Sequence, residues 1–118
     1  MKLKRVTKHG TDETWGHKFV CPGCLAWFKA NTTDSENIQR MYATHSIPTA
    51  GTNAWSFNGN VDSPTLQPSI LVHGIRSDGD ITLTPRCHSY VTNGCIQYLD
   101  DCEHALRGQT VELPEVAA

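Results

Sequence analysis

The chain lacks most of the features that would assign it to a large functional class at a glance. No apolar run approaches the ~20 residues of a membrane-spanning helix, so no such helix and no membrane partner is expected. There is no basic excess: ten Lys and Arg stand against twelve Asp and Glu, for a net charge of −2, where a dedicated nucleic-acid binder carries a basic surface. The basic start Met1-Lys2-Leu3-Lys4-Arg5 has no apolar stretch behind it and does not read as a secretory signal. No His-Glu-x-x-His run, internal repeat or low-complexity segment is present. Apolar residues make up 38% of 118 residues, which bounds the chain to one domain, residues 1–118, with a modest core that a staple would help. The five cysteines are odd in number. Without a signal they point to a reducing, cytoplasmic compartment and to metal ligands or free thiols rather than disulfides.

What is present is a tight pair, Cys21-Pro22-Gly23-Cys24, with the spacing of a zinc knuckle. Far downstream come Cys87-His88 and Asp101-Cys102-Glu103-His104. A zinc ion held by these groups would tie the N-terminal third of the chain to the C-terminal third.

The pattern reads mainly β: a small zinc-stapled antiparallel sheet with one or two short helices. Lys2 to Lys8 suits an edge strand. Lys18 to Val20 leads into the knuckle at the tip of a hairpin, and Leu25 to Phe28 leaves it as a second strand. Residues 31–53 are polar and read as a mobile loop, with a short helix over Glu36 to Thr44 capped by Asp34 or Ser35 as the alternative. Trp55 to Gly59 reads as a strand entering a turn, Pro64 to Ser69 as a rigid extended run, and Ile70-Leu71-Val72 as a buried strand. Asp101 to Arg107 suits a helical turn closed by Gly108, and Gln109 to Leu113 a last strand.

The clearest element is the hairpin around Asn93-Gly94, since a two-residue loop fixes the register. Thr92 then faces Cys95, Val91 faces Ile96, Tyr90 faces Gln97 and Ser89 faces Tyr98, with His88 opposite Leu99 and Cys87 opposite Asp100. Cys87, Ser89, Val91, Ile96 and Tyr98 share one face; His88, Tyr90, Thr92, Cys95, Gln97 and Leu99 share the other. Cys95 is therefore remote from Cys87 and cannot share a metal with it, whereas Cys102 lies just past the hairpin's open end. Cys21, Cys24 and Cys87 make three candidate ligands, with Cys102 and His104 competing for the fourth place. His88 points away from any metal on Cys87, towards the face that Asp101 would share. His9, His17, His45 and His73 lack partner spacing and read as surface or loop histidines, His45 the least clearly so.

Taken together, the knuckle, Trp55, Pro64-Thr65-Leu66-Gln67-Pro68-Ser69-Ile70, Cys87-His88-Ser89, Asn93-Gly94-Cys95-Ile96 and Asp101-Cys102-Glu103-His104 running into Gly108-Gln109-Thr110-Val111 resemble a family of small phage, prophage and bacterial proteins of unassigned function. Some of its members carry an ammonia monooxygenase label that nothing in this sequence supports. The pattern is more distantly similar to zinc-containing peptidases of bacterial ubiquitin-like conjugation operons. The shared core is a cysteine pair, a Pro-Ser step and a Cys-His before a turn, matched here by Cys21 and Cys24, Pro68-Ser69, and Cys87 with His88. The chain departs from those relatives at Leu99, where they carry a thiol, and at Leu25, where close relatives follow the knuckle with Gly.

The resemblance implies a peptidase-like hydrolase acting on a protein, with a ubiquitin-like protein as the candidate substrate. Ser69 would be the nucleophile, His88 the general base, and Asp101 or Asp100 the residue orienting it. Two other functions remain open. One is a zinc metallohydrolase using His88, His104 and Cys102 or Cys87, with Glu103 or Asp101 as base. The other is a non-catalytic zinc-stapled module that binds a host protein, with Trp27, Trp55 and Tyr42 as core residues or contact anchors.

Overall fold

The computed structural model describes residues 1–77 and 81–116, with the side chains of 73–84 outside the described set. The order is β1 (Lys4–Thr7), β2 (Thr14–Val20), α1 (Pro22–Asn31), α2 (Glu36–Tyr42), β3 (Thr44–Pro48), β4 (Ser56–Phe57), β5 (Leu66–Ser77), β6 (Ile81–Thr92), β7 (Cys95–Tyr98) and β8 (Thr110–Glu112). The strands form two antiparallel sheets, β1-β2-β3 and β4-β5-β6-β7-β8. The architecture is thus mainly β with two short helices, as the patterning suggests, and β1 does lie at a sheet edge.

Between β6 and β7 the register is the one the Asn93-Gly94 turn imposes, Thr92 opposite Cys95 through Ser89 opposite Tyr98. Asn93 and Gly94 both take positive φ (49° and 80°), the backbone a two-residue hairpin turn needs. Cys87, Ser89, Val91, Ile96 and Tyr98 are all buried, and the residues alternating with them are partly or fully exposed. Phe19 and Ile47 from the smaller sheet and Leu66, Ile70 and Leu113 from the larger sheet and its end join them in one core cluster. The His17 ring packs on Phe57 at 4.6 Å, a further link between the sheets.

Two local expectations are overturned. The segment after the knuckle is the helix α1 rather than a strand, and the knuckle is that helix's N-terminus rather than a hairpin tip. Cys21 is the N-cap, its Sγ accepting from the Cys24 N–H at 3.5 Å, and Pro22 takes the first position, where its missing N–H costs nothing. Leu25, Ala26, Lys29 and Ala30 are good helix formers. Secondly, of the two readings of residues 31–53 the mobile loop gives way, while the short helix starting at Glu36 with Ser35 as its cap holds. The segment contains α2, capped by the Ser35 hydroxyl at the Ile38 N–H (3.4 Å), and β3, which pairs along β2. β3 reads as polar because only His45 and Ile47 of its residues are buried.

In β5, Ile70 is buried but Leu71 is 55% exposed, so the apolar run there has one side in solvent. Trp27, Trp55 and Tyr42 are half-buried and pack against the core. The side chain of His73 lies outside the described residues.

Candidate active site and metal centre

Between β5 and β6 the pairing skips. Leu66 faces Val91 and Ile70 faces Ser89, so Gln67, Pro68 and Ser69 are set against Tyr90 alone. The indole N–H of Trp55 holds this bulge, donating to the Pro68 carbonyl at 3.1 Å. Bulges re-aim side chains, and here the result is that Ser69 Oγ lies 3.0 Å from Nε2 of His88 on the neighbouring strand. The other ring nitrogen of His88, Nδ1, is 3.2 Å from Asp101 Oδ2. With Nδ1–H donating to the carboxylate, the Nε2 lone pair accepts from the Ser69 hydroxyl. The chain thus brings together Ser69, His88 and Asp101; Asp100, the alternative orienting residue, has Oδ1 on the Gly108 side.

The segment after β7 is folded back onto β6 so that Asp101 reaches the ring. Leu99 N–H bonds to the His88 carbonyl (2.9 Å) and Glu103 N–H to the Arg86 carbonyl (2.9 Å). The Cys102 sulfur sits 3.2 Å from both the N and the O of His88. Burial pushes the Cys102 thiol up, so it stays a neutral hydrogen-bonding group. Asp101 also lies 3.8 Å from the Arg86 guanidinium and is 44% exposed, so its field at His88 is partly screened.

On the opposite, buried face of the same strand, Cys87 meets Cys21, Cys24 and His104, whose ligand atoms all lie within 4.8 Å of one another. Cys21 Sγ and Cys87 Sγ are 3.8 Å apart and His104 Nε2 is 3.4 Å from Cys87 Sγ. A tetrahedron with metal–sulfur arms of ~2.3 Å has an edge of about 3.8 Å, so the set fits a closed four-donor site. Its fourth member is His104; Cys102, turned to the His88 backbone, and Cys95, half-exposed on the other face, lie outside the cluster. Nor is His88 part of it, so the three-ligand set His88, His104 and Cys102 or Cys87 is not assembled.

The electrostatics of the thiols point the same way. Burial opposes ionisation of Cys21, but hydrogen bonds from Cys24 and Cys87, with His45, outweigh it and draw the thiol well below its usual range. Cys24 and Cys87 are pushed up, first by their bonds to Cys21 and then, for Cys87, by its bond to Cys24. Three packed sulfurs cannot all carry charge without a cation to offset it. Burial lowers the His104 pKa, which keeps the ring neutral and fit to ligate.

Three supporting residues carried no sequence signal for this role. Tyr98 OH lies 3.1 Å from Cys21 Sγ and accepts the Gly23 N–H at 3.0 Å, and its ring stands edge-on to His104. His45, buried, has Nε2 3.6 Å from Cys24 Sγ. Gly23 is bare because a Cβ there would overlap the His104 imidazole. Gly23→Ala is expected to displace that ring, costing about 1–3 kcal/mol and weakening metal retention; thermal melting alongside metal analysis of the purified variant checks both.

The fold and site define a small β protein with a Ser–His–Asp constellation on one side of a strand and a buried Cys3His cluster on the other. Residues 1–99 match the family model BubE, the bacterial ubiquitination-like system serine protease, and the chain belongs to that family. The match spans the positions of Cys21, Cys24, Ser69, Cys87 and His88 and ends before Asp101 and His104, whose places rest on the geometry. No curated protein and no solved structure matches the chain.

Proposed function

We propose that this protein is a serine peptidase that processes a ubiquitin-like protein in the reducing interior of a bacterial cell, with zinc as a structural staple. The observation that carries the reading is the Ser69–His88–Asp101 chain of contacts at 3.0 and 3.2 Å in a member of a serine protease family. Ser69 Oγ attacks the scissile carbonyl carbon while His88 Nε2 takes its proton. The same nitrogen returns the proton to the departing amine, leaving an acyl group on Ser69. Water, deprotonated by His88, then releases it. Asp101 holds the ring with Nε2 towards Ser69 and stabilises the imidazolium that forms.

Cys21, Cys24, Cys87 and His104 would hold the zinc. When bound, it supplies a fixed positive charge that neutralises the thiolates and cross-links α1, β6 and the segment after β7. Four buried protein donors favour a structural site, since a catalytic zinc keeps a position for water. Cys87 and His88 are adjacent on β6, so the staple also fixes the strand that carries the base.

The test is to incubate the purified protein with a ubiquitin-like protein from a bacterial conjugation operon carrying a C-terminal extension, and to follow the masses. Release of the extension, together with a fluorophosphonate adduct on Ser69, is the expected result; an intact substrate and an unlabelled serine would defeat the proposal. Asp101→Asn should fold normally yet lower kcat by about 10²–10⁴, towards the lower end because the carboxylate is half-exposed. Steady-state kinetics on the same substrate decides it.

A further inference from the structure

α1 has two working faces. Gly23, Cys24 and Phe28 are buried, while Pro22, Leu25, Ala26 and Lys29, spaced as one helical stripe, line a groove of about 630 Å³ on the other side. Its opposite wall is the outer face of the smaller sheet, where Lys4, Lys18, Val20 and Thr44 point the same way. Arg40 also lines it. The floor is thus apolar and the rim carries Lys4, Lys18, Lys29 and Arg40, four of the ten basic residues of a chain whose net charge is −2.

The placing of these charges is unfavourable in isolation. Lys4 and Lys18 are direct cross-strand partners, and like charges opposite each other destabilise a sheet. Neither has an anionic partner among the described residues. Lys29 and Arg40 share a single carboxylate, Glu36, each at 3.8 Å. The two acids that also line the groove are engaged elsewhere, Glu112 by Lys2 at 2.7 Å and Glu115 by the Met1 amino group at 2.6 Å.

We infer that this groove is a docking site for an acidic, leucine-rich segment of a partner protein, set apart from Ser69, His88 and Asp101, none of which lines it. Charge complementarity selects an acidic partner, and the apolar floor selects one that brings aliphatic side chains. A nucleic acid is disfavoured by the net charge and because the aromatic ring that lines the groove, Phe19, is buried and offers no face on which bases could stack. Such a site would hold a protein substrate near the peptidase centre and raise its effective concentration there; in that respect it rests on the peptidase reading.

The test uses Ser69→Ala protein, so binding is read independently of any cleavage. The probes are a fluorescein-labelled peptide of alternating glutamate and leucine, its lysine–leucine counterpart and a labelled oligo-dT, each followed by fluorescence anisotropy at low salt. The glutamate–leucine peptide should bind saturably and the other two should not. Lys4→Gln/Lys18→Gln should weaken it about tenfold while melting no lower than the parent, since a like-charge pair is removed. Lys29→Gln/Arg40→Gln should weaken it similarly from the helical side, and Lys8→Gln, outside the groove, should not. Absence of saturable binding, equal binding by the double variants, or oligo-dT binding with the same sensitivity would each overturn the inference.

Discussion

Ser69→Ala is expected to lower the peptidase rate by about 10³-fold or more while shifting stability by no more than about 0.5 kcal/mol. The two parts follow from different facts. The rate part rests on the 3.0 Å approach of Oγ to His88 Nε2: without the hydroxyl there is no atom to form the acyl intermediate, and His88 has nothing to activate but water. The stability part rests on position. Ser69 is half-buried on a bulge and sits beside the exposed side chains of Leu71 and Tyr90, and the bulge is held by Trp55 through backbone carbonyls rather than through the serine hydroxyl. His88→Ala should cost a comparable factor, and the double variant should be little worse than either single one, because residues that act as a unit do not contribute additively. Single-turnover cleavage of the ubiquitin-like precursor, with melting curves on the same samples, separates these outcomes. Full cleavage by a well-folded Ser69→Ala protein would reduce Ser69 to a polar strand residue.

Part of this site is legible in the sequence because strands obey a strict period. Once Asn93-Gly94 sets the turn, the alternation puts Cys87 and His88 on opposite faces without reference to any other element, and β6 and β7 follow that register; that the Cys87 face is the buried one comes from the packing. Ser69 is legible only through resemblance. Its approach to His88 depends on the skip in pairing between Leu66 and Ile70, and a bulge has no periodic signature. The choice between Cys102 and His104 is also beyond pattern. The two are separated by one residue, and what sorts them is the way the chain folds back, with Glu103 N–H on the Arg86 carbonyl and Cys102 turned to His88. α1 escapes the strand pattern because Cys-Pro-Gly-Cys is as compatible with a helix start as with a hairpin tip. Pro at the first helical position and the run Leu25 to Ala30 are the signals that favour the helix. His45 is hidden in a segment whose polar residues mask a strand with two inward positions.

Cys21→Ser is the second change with a large expected effect, and it should leave the chain largely unfolded and without bound metal. Cys21 is fully buried, so the serine cannot be compensated by water. Cys21 is also the N-cap of α1 and a partner of Tyr98 OH at 3.1 Å, roles a serine hydroxyl can take over; what serine does not replace is the thiolate donor of the Cys3His set. Structural zinc sites contribute apparent binding free energies of about 10–16 kcal/mol, against a total stability of about 5–15 kcal/mol for a domain. Losing even a fraction of the first term can therefore exhaust the second. Cys87→Ser should behave in the same way, Cys95→Ser should be near neutral, and Cys102→Ser should keep the metal, since Cys102 lies outside the cluster. Acid should mimic the ligand variants, because protons compete with the metal for thiolates and imidazole and metal affinity falls as pH falls; chelator at neutral pH should lower the melting temperature of the parent protein and leave the circular dichroism of the already metal-free, largely unfolded Cys21→Ser unchanged. Elemental analysis with melting curves across this series separates ligands from bystanders, and an unchanged metal content and melting temperature in Cys21→Ser would overturn the assignment of the site. Because Cys87 precedes His88 on β6, partial metal loss should also reduce cleavage before the fold is lost, linking the buried face of that strand to the chemistry on its outer face.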